Sequence, residues 1–242
     1  MPEEKNIIKF NQDVMTNEGY LYSASDRLSC RLANKRLTDA VFSIVELAGK
    51  RVIDVGCGDG NYTMELMAGN PKYILGVDAA EAAVDLARET TKNFTDIEFR
   101  VGNIYNLNDI NDHFDIAIVR GVLHHLNDAP KAIHSVMSIA DELVVIEPNG
   151  YNPGLKVIEK LSSYHIEHEE KSYLPPTLDK WFATAGGKKT HAFYCGLVPF
   201  FCPNWLARCL NFIEPLVENI PFIRNIGCAV YVLKVEVERN SE

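Results

Sequence analysis

Four short stretches carry groups able to hold a small polar ligand. In Asp54-Val-Gly-Cys-Gly-Asp-Gly60, glycines at 56, 58 and 60 fit a tight turn where main chain approaches a ligand closely. A helical segment begins near Asn61, and N–H groups at such a start suit a ligand carboxylate or phosphate. Asp78, 18 residues beyond Gly60, stands near the spacing at which an acid closing a second strand accepts from both hydroxyls of a ribose. Gly102-Asn103-Ile104 and Arg120-Gly121 complete the set. His124 and His125 follow directly, and a neutral imidazole near pH 7 accepts a proton, so these two are the candidate bases. The alternative for either is an ordinary loop or helix-start residue.

These stretches need a frame that brings them to one edge. Arg51 to Val55, Tyr73 to Asp78, Ile97 to Gly102, Phe114 to Arg120 and Glu142 to Glu147 are short apolar runs that read as strands. Between them, Tyr62 to Ala68, Ala79 to Lys92 and Asp128 to Ile139 have helical periodicity, and Ser25 to Leu47 forms a helix before the first strand. Strands alternating with helices at this spacing imply an α/β fold with a doubly wound, mostly parallel sheet. In such a sheet ligands bind outside the carboxyl ends of the strands, where the four stretches fall. Two late strands, Lys188 to Val198 and Gly227 to Val237, lack a full crossover and predict an antiparallel edge pair, which makes seven strands.

The remainder frames this sheet as a single domain over residues 1–242. Residues 1–25 read as a polar N-terminal arm, with Tyr20 and Tyr22 placed either to cover a ligand or to pack on the surface. Turn formers from Pro148 to Gly154 open an insertion over 151–175 that contains His165, His168 and Tyr173, and 199–221 forms a second substrate-covering segment. Glu147, His165, His168 and Tyr173 are each substrate-facing or solvated. Aromatic residues between Phe193 and Phe222 read as core and edge, or as an apolar wall for an acceptor of lipid type. His165 and His168 share a helix face beside carboxylates, but no cysteine ligand or zinc spacing accompanies them, so no metal is expected.

At 242 residues the chain can bury roughly 70–75% of its unfolded surface without staples. A net charge of -9 opposes broad attraction to a polyphosphate, so a nucleic-acid partner is not expected. Six cysteines without a C-x-x-C pair, and no apolar leader at Met1, point to reduced thiols in a cytoplasm. No apolar run is long enough to span a membrane, although peripheral contact stays open.

The turn itself discriminates among nucleosides. Glycines spaced G-x-G-x-G, with Asn61 next, do not meet the G-x-G-x-x-G dinucleotide pattern. Asp54 to Gly60, Asp78, and Phe114-Asp115 through Leu123-His-His-Leu126 together resemble the class I S-adenosylmethionine-dependent methyltransferases, over about residues 45 to 150. That resemblance implies a Rossmann-like fold with S-adenosylmethionine as cofactor. Asp54, Gly56, Cys57 and Gly58 would border its methionine part, Asp78 would hold the ribose, and Ala79 would lie near the adenine. Asn103 and Ile104 stand where such enzymes often place an acid on the adenine amino group, and Arg120 would meet the methionine carboxylate or be an ordinary surface arginine. The expected reaction is methyl transfer to an oxygen or nitrogen of a small-molecule, glycan or lipid-type acceptor. The alternatives are a nicotinamide-dependent oxidoreductase, which lacks here a Tyr-x-x-x-Lys pair, and a catalytically silent cofactor-binding partner protein. Neither the acceptor nor the oligomeric state is legible.

Overall fold

A computed structural model of the chain describes residues 2–17, 25–161 and 171–239. Tyr20, Tyr22, His165 and His168 lie outside the described residues. Among those described, the elements run α1 (Pro2–Asn17), α2 (Leu28–Ile44), β1 (Arg51–Val55), α3 (Asn61–Leu66), β2 (Tyr73–Asp78), α4 (Glu81–Thr91) and β3 (Ile97–Val101). A 3₁₀ segment, Ile104–Ile110, leads to β4 (Phe114–Arg120). A second, Leu123–His125, precedes α5 (Ala129–Ile139) and β5 (Ala140–Pro148). The chain continues through α6 (Pro153–Leu161), α7 (Pro175–Thr184), β6 (Gly187–Cys195), α8 (Asn204–Asn219), α9 (Pro221–Gly227) and β7 (Val230–Val237).

The strands form one seven-stranded sheet in the order β3-β2-β1-β4-β5-β7-β6. Neighbours from β3 to β5 are parallel, and β7 is antiparallel to both β5 and β6, so the expected antiparallel edge is present. Alternation along each strand divides the core into two layers. Ile53, Val55, Leu75, Ala117, Val119, Leu143 and Val145 bury against α5 and α7 on one face. Val52, Ile74, Ile116, Ile118, Val144 and Ile146 bury on the other, with Leu37 and Val41 of α2 and Val84 and Ala87 of α4. The same alternation decides where strand-end polar residues go. Asp54 and Arg120 share their parity with Val52 and Ile118 and meet α2 and α3, whereas Glu147 shares its parity with Val145 and meets the loop Val122 to His124 on the other face.

Two regions depart from the sequence expectations. The N-terminal arm contains a helix, because Ile7, Asn11 and Val14 recur at helical spacing on one side of α1. Val14 packs on Ala80 and Ala83, and Asn11 Oδ1 accepts from Ala82 N at 2.9 Å, which fixes α1 over the start of α4. Of the aromatic region Phe193 to Phe222 only part joins the core: Phe193 and Phe200 pack against it, whereas α8 buries Ala207 and Glu214 and exposes Trp205, Phe212 and Leu216. All six cysteines are free thiols, and no helix among the described residues is long and apolar enough to cross a membrane.

Candidate functional site

Strand order reverses between β1 and β4, so the loops leaving them diverge and open a crevice at their carboxyl ends. A cleft of about 600 Å³ lies there. Gly56, Cys57 and Gly58 after β1, Asp78 and Ala79 after β2, and Asn103 and Ile104 after β3 all line it. So do Arg120 at the end of β4 and His124 and His125 in the following 3₁₀ turn. Asp54 is the exception. It is buried beneath the turn, where Thr63 Oγ1 donates to its Oδ2 at 2.5 Å, and it does not line the cleft.

The glycine turn is shaped mainly by contacts inside the protein. Gly56 has φ +78°, and a Cβ there would stand 2.3 Å from Val122 Cγ2. Gly60, at the same φ, packs so closely on Phe99 and Ala87 that a Cβ would come within 2.8 and 2.9 Å of their side chains. Gly58 N donates to Asp78 Oδ2 at 2.9 Å, and Ala80 N donates to Oδ1 at 2.8 Å, so Asp78 ties the two loops together. The two carboxylate oxygens together offer about four acceptor positions, so Asp78 keeps capacity toward a ligand beside its N–H donors. Burial raises the Asp78 carboxyl above its ordinary value, against the lowering effect of the N–H donors of Ala80, Gly58 and Ala79. At the start of α3, Asn61 N donates to Asp59 Oδ1 at 3.2 Å.

Arg120 is half-buried, not a surface residue. Nη1 donates to Thr38 Oγ1 at 3.0 Å and Nη2 to Asn34 O at 3.2 Å, while the guanidinium lies 3.8 Å from the centre of the Tyr62 ring. Tyr62 donates its hydroxyl to Asn34 Oδ1 at 2.8 Å, so α2 and α3 together clamp the cation at the cleft wall. Burial pushes the Tyr62 hydroxyl up to about 12, partly opposed by Arg120. Burial likewise lifts Asp54 to about 6, against Thr63 and Arg120, which lower it. The Cys57 thiol rises well above its usual range through burial and the nearby Asp78 and Asp54, so it is no nucleophile. Asn103 Oδ1 accepts from Tyr105 N at 2.9 Å, which makes it the cap of the 3₁₀ segment.

The residue that sequence reasoning underrated is Glu147. It is 1% exposed, and its carboxylate gathers the loop after β4. Oε1 accepts from Val122 N and Leu123 N at 2.9 and 2.8 Å. Oε2 accepts from His124 N at 3.2 Å and lies 2.8 Å from His124 Nδ1. A carboxylate at that distance fixes the proton on Nδ1, which makes Nε2 the basic nitrogen of an imidazole lining the cleft. An acid closing the run Leu143 to Ile146 was the available signal, but only the fold shows that the β4 loop wraps it. His125 stacks beside His124, with ring centroids 3.9 Å apart. Tyr173 does not reach the cleft. It packs edge-on against Trp181, centroids 4.8 Å apart, and its carbonyl accepts from Gly150 N. Among the described residues, no cluster of three or more His, Cys, Asp or Glu side chains is placed to hold a metal ion.

The profile of the family described as "Methyltransferase domain" matches residues 46–186. A tRNA U34 carboxymethyltransferase of Nautilia profundicola is 33% identical over 134 residues, covering 54% of this chain and 40% of that protein. A ubiquinone biosynthesis O-methyltransferase of Neisseria meningitidis is 27% identical over 120 residues, covering 48% of this chain and 50% of that protein. The chain thus spans about half the length of the curated relatives it matches. Among solved structures, the N-methyltransferase NodS of Bradyrhizobium japonicum WM9, in complex with S-adenosyl-L-homocysteine, superposes with a TM-score of 0.64 at 14% identity, covering 97% of this chain and 100% of that one. At that identity the likeness is one of fold.

Proposed function

The chain belongs to the methyltransferase-domain family, and from that premise we propose that it transfers a methyl group from S-adenosylmethionine to an oxygen or nitrogen of a small-molecule, glycan or lipid-type acceptor. The observation that carries this reading is one cleft lined both by Gly58 and Asp78 and by His124, whose Nδ1 is held by buried Glu147. The first pair suits a nucleoside and the second a proton acceptor.

The residues present fit the cofactor by their chemistry. Asp78 offers a carboxylate to a hydroxyl pair, Ala79 and Ile104 give an apolar surface for a purine, and Arg120 supplies a cation beside the glycine turn for an α-carboxylate. Asn103 accepts from the purine amine with the capacity left on Oδ1. Asp54 acts from below, since its bond to Thr63 anchors α3 to β1 and so holds the turn. When bound, S-adenosylmethionine supplies an electrophilic methyl group on a sulfonium. The protein's share is to align the acceptor in line with that group and exclude water, a positioning effect of up to roughly 7–11 kcal/mol. His124 Nε2 takes the acceptor's proton, and Glu147, 2.8 Å from Nδ1, holds the ring in place as the imidazolium forms. His125 buttresses the His124 ring.

The acidic chain argues against an RNA acceptor of the kind named for the Nautilia relative, because a net charge of -9 repels phosphate backbones. The free thiols suit a reducing cytoplasm. Thermal unfolding with ligands tests the reading. S-adenosylhomocysteine at 100 times its dissociation constant should add about 2.7 kcal/mol, a rise of roughly 5–10 °C at this chain length. A rise with NADH and none with S-adenosylhomocysteine overturns it. Binding without turnover across oxygen and nitrogen acceptors would instead identify a silent cofactor-binding partner.

A further inference from the structure

Helix α8 is amphipathic in the wrong sense for a soluble surface. Of its sixteen residues it buries Ala207 and Glu214, while Trp205, Phe212 and Leu216 are 68%, 84% and 65% exposed. With exposed Cys209 they fall at steps of four, three and four, which is one stripe along the helix. The next helix extends the surface with Phe222 at 74% exposure, followed by Ile223 and Ile226. A contiguous apolar surface of this kind marks a contact site.

Charge on this segment is sorted as well. Both of its acids turn inward: Glu214 Oε1 accepts from Leu197 N at 2.6 Å, and Glu218 Oε1 accepts from Gly196 N at 3.0 Å while its Oε2 pairs with Arg36 at 2.7 Å. Its two cations are Arg208, which is exposed, and Arg224, which is half-buried. A chain of net charge -9 therefore presents here a face with aromatic and aliphatic side chains, arginine at its margin and its acids withdrawn. That combination matches the interface of a phospholipid bilayer, where apolar residues enter the acyl boundary and arginine meets lipid phosphate. The face is also continuous with the cleft. Phe200 and Phe201 line the cleft just ahead of α8, Phe201 is 54% exposed, and Gly227, at the end of α9, lines it too.

We propose that the exposed face of α8 and α9 docks on the surface of a phospholipid bilayer, so that the cleft opens beside the membrane. The inference stands on the surface alone and does not require the methyl-transfer reading. The test is co-sedimentation of the full chain with vesicles of phosphatidylcholine and phosphatidylglycerol, with the emission of its two tryptophans, Trp181 and Trp205, recorded in parallel. The wild-type chain should sediment with the vesicles, and its tryptophan emission should shift to the blue. Phe212→Glu and Leu216→Glu alter side chains that touch little of the fold, so both should keep the wild-type melting temperature while losing vesicle binding by at least about tenfold. The proposal is overturned if the wild-type chain stays in the supernatant or if both variants bind as well as wild type. It is equally overturned if light scattering shows a wild-type dimer that Phe212→Glu splits into monomers, since the face would then belong to a second copy. Because neither cofactor nor acceptor enters the assay, its failure leaves the assignment of the cleft untouched.

Discussion

His124 Nδ1 and Glu147 Oε2 are 2.8 Å apart, and the same carboxylate holds the backbone N–H groups of Val122, Leu123 and His124. One buried acid therefore sets both the path of the loop and the tautomer of the ring. The two roles separate by mutation. His124→Asn should lower kcat by about 10²–10⁴ with little change in affinity for S-adenosylhomocysteine. Glu147→Gln should lower kcat and also the melting temperature, because its amide nitrogen must face N–H groups that need an acceptor. Steady-state kinetics beside calorimetric binding checks both, and an unaltered kcat in His124→Asn removes the base from the mechanism.

Asp78 joins the turns after β1 and β2 through Gly58 N and Ala80 N, so its loss weakens the empty protein as well as the complex. Asp78→Asn keeps one acceptor and is the cleaner variant. It should weaken S-adenosylhomocysteine by roughly 10- to 100-fold, in line with the loss of charge-assisted hydrogen bonds. Titration calorimetry reads this directly, and wild-type affinity would reduce Asp78 to a loop tie.

Gly56 and Val122 meet where the first and fourth strand loops cross. Gly56→Ala should cost roughly 2–4 kcal/mol, from a positive φ and a Cβ 2.3 Å from Val122 Cγ2. Adding Val122→Ala removes the clash but not the backbone strain, so the double variant should recover part of the loss. Denaturant unfolding of the four proteins in the cycle measures the coupling, and strict additivity would mean the two loops do not press on each other.

Much of this was legible in the chain, for identifiable reasons. The apolar runs of β2 and β4 and the Asp128 cap with its following proline gave their elements at the observed ends, because burial on both sheet faces and a capped helix start leave plain marks. The meeting of the candidate residues at one cleft was legible because strand-end residues in an α/β sheet must converge. Other features depend on contacts that no local pattern records. The stripe of α1 is only Ile7, Asn11 and Val14 within polar sequence. Gly56 lines the cleft, but that it and Gly60 must also leave room for Val122, Phe99 and Ala87 shows only in the fold. Glu147 looks like a solvated strand end until the Val122 to His124 loop encloses it. The aromatics of α8 suggested core by composition, yet the helix turns its glutamates inward because Gly196, Leu197 and Arg36 need acceptors.

Asp54 gives a pH signature that needs no substrate. Burial lifts its carboxyl from 3.8 to about 6 in the folded state, so the native protein binds a proton that the unfolded chain releases. A raised folded value means that this group's contribution to stability is fully present below about pH 4 and is lost as pH rises through about 6. A shift of about two units corresponds to roughly 3 kcal/mol between the two ends of that window. Asp78 and Glu214, both raised by burial, push in the same direction, so the single-site effect must be read against a variant. Asp54→Asn keeps an acceptor for Thr63 Oγ1 and removes the titration. Its melting temperature should exceed that of wild type near pH 8 and converge with it near pH 4, provided both proteins stay folded at the acid end. Parallel pH profiles for the two proteins would show that Asp54 is not the group taking up the proton.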